Sequence, residues 1–464
     1  MTQPDAPGTP LWWVKRLYKA LQGQREQFEL MDGYYRGEPG KLPWLPEQAR
    51  QEFSRLLALT KSNYCGLVVD SMVERMQVEG FRIGDSADAD EATWAIWQAN
   101  NLDSGSDQVL LESAIGGSSY LLVAPNPDRT DRPHIYAEHP TQAIVAYEPG
   151  TGRRVRAAGL KVWSDDWTGH TLATLYLPDV IYKFRTNRHP VGGDAVEPRW
   201  EPRRVPGESW PAPNVLGAVP LVEVANNPRM LTGGVSELAD VIAVQDRICK
   251  TIADRLMTQD FGAFPQKWAI GFPDADAQGN PTRIDVGRNR MVTSDIAETK
   301  FGQFESAPLD PYSAAKREDV KDIASRTRTP AQYLLGEMSN ISGEVLKASE
   351  SGLVSKVRQR HRTSGEGLED AVRLARRAAG IGGGDEAAET IWRNPEFRTE
   401  GELVDALTKM STLNVPDEAL WERWGATQVE IKRWKSMRLE QDALDPIGAL
   451  TRLAGQQEPP EPAE

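Results

Sequence analysis

Four groups of residues have side chains that chemistry uses, and none completes a site. His134-Ile-Tyr-Ala-Glu138-His139 holds two imidazoles and a carboxylate, a donor set suited to zinc. On a strand, however, residues 134 and 139 point to opposite faces, and the i,i+4 histidine pair of a zinc-binding helix is missing. Ser313-Ala-Ala-Lys316 has the serine–lysine spacing of acyl-transfer enzymes without their companion motifs, so Ser313 reads as a helix cap. Asp274-Ala-Asp-Ala-Gln-Gly279-Asn-Pro-Thr-Arg-Ile-Asp285 approximates a calcium loop. Gln278, Pro281, Asp285 in place of a bidentate Glu, and strand-type neighbours make it a polar β connection instead. Asp240, Asp246, Asp254 and Asp260 recur along one helical pattern and read as its solvated face. Asn63 and Asp70 are lone polar residues of the solvated or capping kind. No P-loop, dinucleotide fingerprint or CxxC pair is present, so the chain reads as non-enzymatic, with no cofactor and no metal.

The totals narrow the class. A chain of 464 residues can bury a full core. Mean hydropathy is -0.51 and no apolar run reaches the length of about 18 residues that a bilayer needs. Met1-Thr-Gln-Pro-Asp-Ala-Pro-Gly8 shows no secretory pattern. Cys65 and Cys249 lie among apolar residues at helical spacing and read as small buried side chains of a reducing compartment, with a disulfide as the alternative. A net charge of -13 argues against gripping nucleic acid on a broad basic face, because such binding rests on neutralising phosphates. It does not argue against passing contact, since acidic walls would repel a duplex and let it slide by rather than hold it. By composition alone the favoured reading is that an acidic surface simply keeps a large assembly soluble.

The elements that must position these residues follow from periodicity. Trp13, Leu17, Leu21, Phe28 and Met31 predict a helix over 11–35, stopped by Gly37 and Pro39-Gly40. Further helices are expected over 46–59, 62–76, 91–100 and 107–115. Strands are expected over 119–124, 134–138, 143–147, 154–163, 171–176, 180–184 and 221–224, with 186–215 as a long surface loop. Residues 11–232 thus form an α+β domain after a disordered start, 1–10. Gly233-Gly234 break the chain and Ser236 is placed to cap a helix. In that helix, 233–260, Leu238, Val241, Ile242, Ile248, Ile252 and Leu256 share one apolar stripe. Phe264, Trp268 and Ile270 then fall on one strand face within 261–307. A second amphipathic helix, 308–326, carries Leu309, Tyr312, Val320 and Ile323.

A polar connection, 327–343, includes Gly336, Glu337, Met338, Ser339, Asn340, Ile341, Ser342 and Gly343. The helix after it, 344–384, contains Gly365 and Gly367, which predict a kink. Between Arg326 and Arg377 stand ten basic and six acidic side chains, an excess that either phosphate contact or intersubunit ion pairs would explain. Residues 385–447 read as three short helices with capping boxes at Thr399–Glu402 and Thr427–Glu430, packed through Trp421, Trp424 and Trp434. The end, 448–464, reads as disordered.

Taken in order, several segments resemble the portal protein family of long-tailed double-stranded-DNA bacteriophages. They are Gly234-Val-Ser-Glu-Leu238, Phe264-Pro-Gln-Lys-Trp268, Thr329-Pro330 and Asn340-Ile-Ser-Gly-Glu-Val-Leu346. Tyr34-Tyr35-Arg-Gly37, Asn63 and Gly80-Phe81 resemble that family's opening segment, and the likeness extends from about Leu11 to Leu439. The resemblance implies a portal-type architecture. In it 11–232 is an α/β wing, 233–260 and 308–326 a helical stem, and 261–307 a small β-containing clip. Residues 327–343 become the tunnel loop, 344–384 a long kinked wing helix and 385–447 a helical crown. It further implies a ring of twelve copies at one capsid vertex of the virion, made in the host cytoplasm and without a membrane. Double-stranded DNA would pass through it during packaging and ejection, without sequence specificity. The stem stripes would pack between subunits and Phe264, Lys267 and Trp268 would make clip contacts. The large terminase subunit, a head–tail adaptor, the major capsid protein and scaffolding protein would be partners. The rival readings are a non-ring adaptor or scaffold binding through 399–440, and an intracellular hydrolase with an unrecognised site.

Overall fold

Proline in its first turn and the spacing of its apolar residues set α1 (Pro10–Tyr35), and this one helix serves two cores. Val14, Leu17 and Leu21 pack with a six-stranded antiparallel sheet, while Phe28, Met31 and Tyr34 join a larger core. The computed structural model describes residues 6–38, 59–84, 86, 89–152, 155–186, 198–230, 232–263, 267–271, 298–305, 307–336, 343–382, 387–396, 400–426 and 428–444. Residues 46–58 of the helix expected over 46–59 and the two capping-box threonines lie outside them, as does the segment Asp274–Asp285.

After α1 come α2 (Cys65–Val73), β1 (Val78–Ile83), α3 (Glu91–Ala99) and α4 (Leu102–Gly116). Strands β2 (Ser118–Ala124), β3 (His134–Glu138), β4 (Ala143–Tyr147), β5 (Arg156–Asp165), β6 (His170–Tyr176) and β7 (Val180–Thr186) follow. The span expected to be loop holds two short strands, β8 (Trp200–Pro202) and β9 (Ala212–Pro213), before β10 (Leu221–Ala225). Both pair with β7, which explains why a Pro-rich stretch stays on the sheet: only its edge is asked of it. The large sheet runs β4-β5-β6-β7-β8, with Leu160 opposite Leu175 and Val162 opposite Ala173 on the face toward α1.

A second sheet, β10-β2-β3, carries the larger core. The chain then forms a helical hairpin of α5 (Ile242–Ala263) and α6 (Asp310–Thr327), with β11 (Lys267–Ile270) and β12 (Lys300–Gln303) paired antiparallel between them. The short α7 (Ala331–Leu335) leads to α8 (Gly343–Ala379). That helix runs unbroken through both glycines expected to kink it. Gly367 serves close approach: a Cβ there would lie 2.7 Å from the Glu223 carbonyl oxygen of β10.

The C-terminal region departs from expectation at its start. Residues 388–392 are a strand, β13 (Ala388–Trp392), paired antiparallel with β1 rather than part of a helical layer. The three expected helices do follow as α9 (Glu400–Ser411), α10 (Asp417–Trp424) and α11 (Gln428–Leu444). Trp434 sits 5.6 Å from Trp421 and 5.5 Å from Trp424, so the indoles hold α10 to α11 as their spacing suggested.

Candidate functional site

The hairpin's roots are where chain segments distant in sequence converge. Gly117 and Gly234 touch backbone to backbone, a contact that any side chain at 234 would block: its Cβ would fall 1.7 Å from the Gly117 oxygen. This brings the Glu237 amide to the Ala114 carbonyl at 2.9 Å, and Ser236 Oγ accepts from the Leu238 amide. Residues 238–241 form turns, so α5 begins at Ile242, later than the expected cap.

Glu237 is then buried at 7 % side-chain exposure, with Lys356 Nζ at 2.8 Å and Arg360 Nε at 2.6 Å. Asn226 Nδ2 donates to the same carboxylate at 2.9 Å. The two cations hold the Glu237 carboxyl below its ordinary range in spite of its burial, whereas burial pulls the Lys356 ammonium down. Lys356 also donates to the carbonyl of Thr327, the last residue of α6, at 3.1 Å. No expectation from sequence included this triad. Its signal was present, because Lys356 and Arg360 stand one helical turn apart within the stripe of Leu353 and Val357.

On the other side of the root, Tyr34 donates to Asp246 at 2.9 Å, and burial raises the Asp246 carboxyl. Asp246 is therefore a hydrogen-bond acceptor within the fold, not part of a solvated face. Gln245 accepts from the Tyr64 amide at 3.1 Å and donates to Cys249 Sγ at 3.4 Å. Cys65 and Cys249 are both free and buried, and burial pushes the Cys65 thiol up to about 12. Asn63 ties α2 to α1 by donating to the Tyr35 carbonyl at 2.6 Å and accepting from the Cys65 amide at 3.0 Å. Asp70 accepts from the Tyr35 hydroxyl at 3.0 Å. These polar residues are architectural.

Along the hairpin, Arg247 bridges α5 to Asp319 at 2.7 Å and Asp322 at 3.0 Å on α6, and Thr258 donates to Tyr312 at 3.1 Å. Of the stripe residues, Leu238, Val241, Ile248, Ile252, Val320 and Ile323 are buried within the single chain. The expectation that they wait for neighbouring copies is corrected for these six. Antiparallel pairing of α5 with α6, over the larger core, already covers them. Ile242, Leu256 and Tyr312 stay half-buried and Leu309 is exposed. Towards β11 and β12 the covering runs out. Ile270 is 62 % and Phe304 60 % exposed, Phe301 is open as well, and Trp268 lies across Gly302 with more than a third of its surface bare.

Lys267 pairs with Gln303 through the backbone, while Phe264 lies outside the described residues. So do Glu337, Met338, Ser339, Asn340, Ile341 and Ser342; Gly336 closes α7 and Gly343 opens α8 on either side of them. The basic excess over 326–377 is largely used inside the chain. Arg326 meets Asp322, Arg358 meets Glu396, Arg373 meets Asp370 and Arg376 meets Asp90, besides the Glu237 pairs. Ser313 falls inside the first turn of α6, and the helix has no side-chain cap. His139 packs on Phe28 at 4.7 Å and bonds Thr141, and no cluster of metal-binding side chains occurs among the described residues.

The family model described as phage portal protein, SPP1 Gp6-like, matches residues 14–443. The chain belongs to the phage portal protein family. Two portal-family relatives bear the match over most of their length. The portal protein of Mycobacterium phage D29 is 31% identical over 418 residues, covering 84% of this chain and 81% of the relative. That of Mycobacterium phage L5 is 30% identical over 378 residues, covering 78% and 74%. A solved chain titled as the neck of an empty GTA particle with C6 symmetry aligns at a TM-score of 0.46 and 12% identity, over 83% of this chain and 96% of its own. Portal-family membership makes the chain a structural component of a phage particle, and all of α1 but its first four residues, the sheets and the α5–α6 hairpin fall within the matched span.

Proposed function

We propose that copies of this chain form a closed ring, twelve in number, at one vertex of the phage head, and that double-stranded DNA passes through the ring during packaging and ejection. The observation that carries this reading is the gradient along the hairpin. It is packed at its roots and leaves Trp268, Ile270, Phe301 and Phe304 open at its tip. A two-stranded sheet with bare aromatic side chains is marginal alone in water and is stabilised by neighbours. Heterologous contacts around a closed rotation supply such neighbours to every copy. In this arrangement residues 11–232 with α8 and β13 form the wing, α5 and α6 the stem, 261–307 the clip, 327–343 the tunnel loop and the helices α9, α10 and α11 the crown. Ile242, Leu256, Leu309 and Tyr312 keep their assignment as stem contacts between subunits.

The clip is the docking surface for the large terminase subunit and later for a head–tail adaptor, and the wing faces the major capsid and scaffolding proteins. An acidic lining, in keeping with the chain's net charge of -13, would repel phosphate, so that a duplex slides without being held and without its bases being read. Negative-stain imaging and native mass measurement of the purified full chain test the proposal. Rings with an open centre are expected, and deletion of 236–326 is expected to abolish them. A compact monomer under assembly conditions overturns it.

A further inference from the structure

The two roots of the hairpin are fastened to one side chain. Lys356 on α8 reaches Glu237, just ahead of α5, at 2.8 Å and the terminal carbonyl of α6 at Thr327 at 3.1 Å. Lys356, Glu237 and Arg360 are each at most 7 % exposed, so water does not compete for these bonds. Two cations on one buried carboxylate are unbalanced by themselves. The negative end of the α6 dipole offsets the remaining charge, which is why the ammonium sits at that helix end. Thr327 is itself fixed, its hydroxyl donating to the Ile323 carbonyl at 2.8 Å and bonding Thr329 at 3.0 Å. Arg360 Nη1 is buried without a partner among the described residues, so the junction is not at its hydrogen-bonding optimum.

We infer that Lys356 is a positioning residue that sets the tilt of the α5–α6 hairpin against α8. It holds Glu237 and Thr327 at a fixed separation, and the hairpin changes angle only when the ammonium releases one of the two. The inference stands on the single chain and does not depend on the ring. A merely stabilising lysine would affect the whole core evenly; a clamp affects both roots and the lever they carry.

The test uses the full chain with spin labels at Gln259→Cys on α5 and Arg362→Cys on α8, both exposed, while the native cysteines are buried. Lys356→Met is expected to broaden the label-to-label distance distribution. It should also speed amide exchange over 232–241 and 323–330 by about tenfold or more, with β5 and β6 unchanged. Lys356→Arg, which keeps a donor for both acceptors, is expected to restore the narrow distribution. Glu237→Gln leaves the Thr327 bond intact and should loosen 232–241 alone; it decides the matter if Lys356→Met does not fold. Exchange rising evenly across the chain, at one root only in Lys356→Met, or at both roots in Glu237→Gln overturns the clamp.

Discussion

His361 carries the clearest proton-linked signal at the scale of one side chain. Its ring stacks on Trp392 at 4.4 Å and 3°, joining α8 to β13, and its Nε2 lies 3.4 Å from the Arg75 carbonyl. Burial lowers the imidazole from 6.5 to about 4. The folded state therefore binds this proton less readily than the unfolded chain. Stability is full above the ordinary value and is lost as pH falls from 6.5 towards 4, by on the order of 3 kcal/mol if the whole shift is realised. Glu237, held low by its cations, adds a loss in the lower window, below the ordinary 4.5. His361→Phe keeps a stacked ring and removes the proton. Its melting temperature is expected to be flatter than that of the parent chain between pH 6.5 and 4.5, with the acid-side fall retained. Equal slopes in that window would show that other groups govern it. None of this was visible in sequence, since burial of one histidine depends on β13, a strand that the helical reading of 385–447 passed over.

At the scale of elements, the sequence was most legible where periodicity is long. The helix over 10–35, the strands from 118 to 186 and the three C-terminal helices lie close to where spacing put them. It misled where a residue answers to a distant segment. Gly367 costs helix propensity locally, yet it is kept because α8 crosses β10 at backbone distance. Stripe residues such as Ile248 and Ile323 looked unpartnered because periodicity shows an apolar face and not what covers it. Gly367→Ala puts a methyl group 2.7 Å from the Glu223 oxygen and 3.0 Å from Val224 Cα. Backbone on both sides cannot swing away as a flexible side chain would. The substitution should cost about 1–3 kcal/mol in spite of alanine's better helix propensity, read by chemical denaturation. A gain in stability instead would mean that α8 shifts along the sheet freely.

At the scale of the whole molecule, two forces would oppose each other in the assembly of the proposed ring. Identical subunits of net charge -13 repel, and bare apolar surface at the hairpin tip draws them together. Trp268 is the side chain to remove, since it spans the sheet over Gly302, and Phe301 exposes the opposite face. Trp268 is 37 % and Phe301 46 % exposed in the isolated chain, so Trp268→Ser with Phe301→Ser should destabilise the single chain only modestly, by about 1–2 kcal/mol. The same double variant should form rings only at higher protein concentration, as mass photometry across a dilution series would record. Salt separates the two forces. Raising it from about 50 to about 500 mM shortens the screening length severalfold and should favour rings of the parent chain by weakening repulsion. If the double variant instead loses far more stability than this, the tip packs inside its own subunit; if salt dissolves the rings, ion pairs rather than apolar contacts hold them.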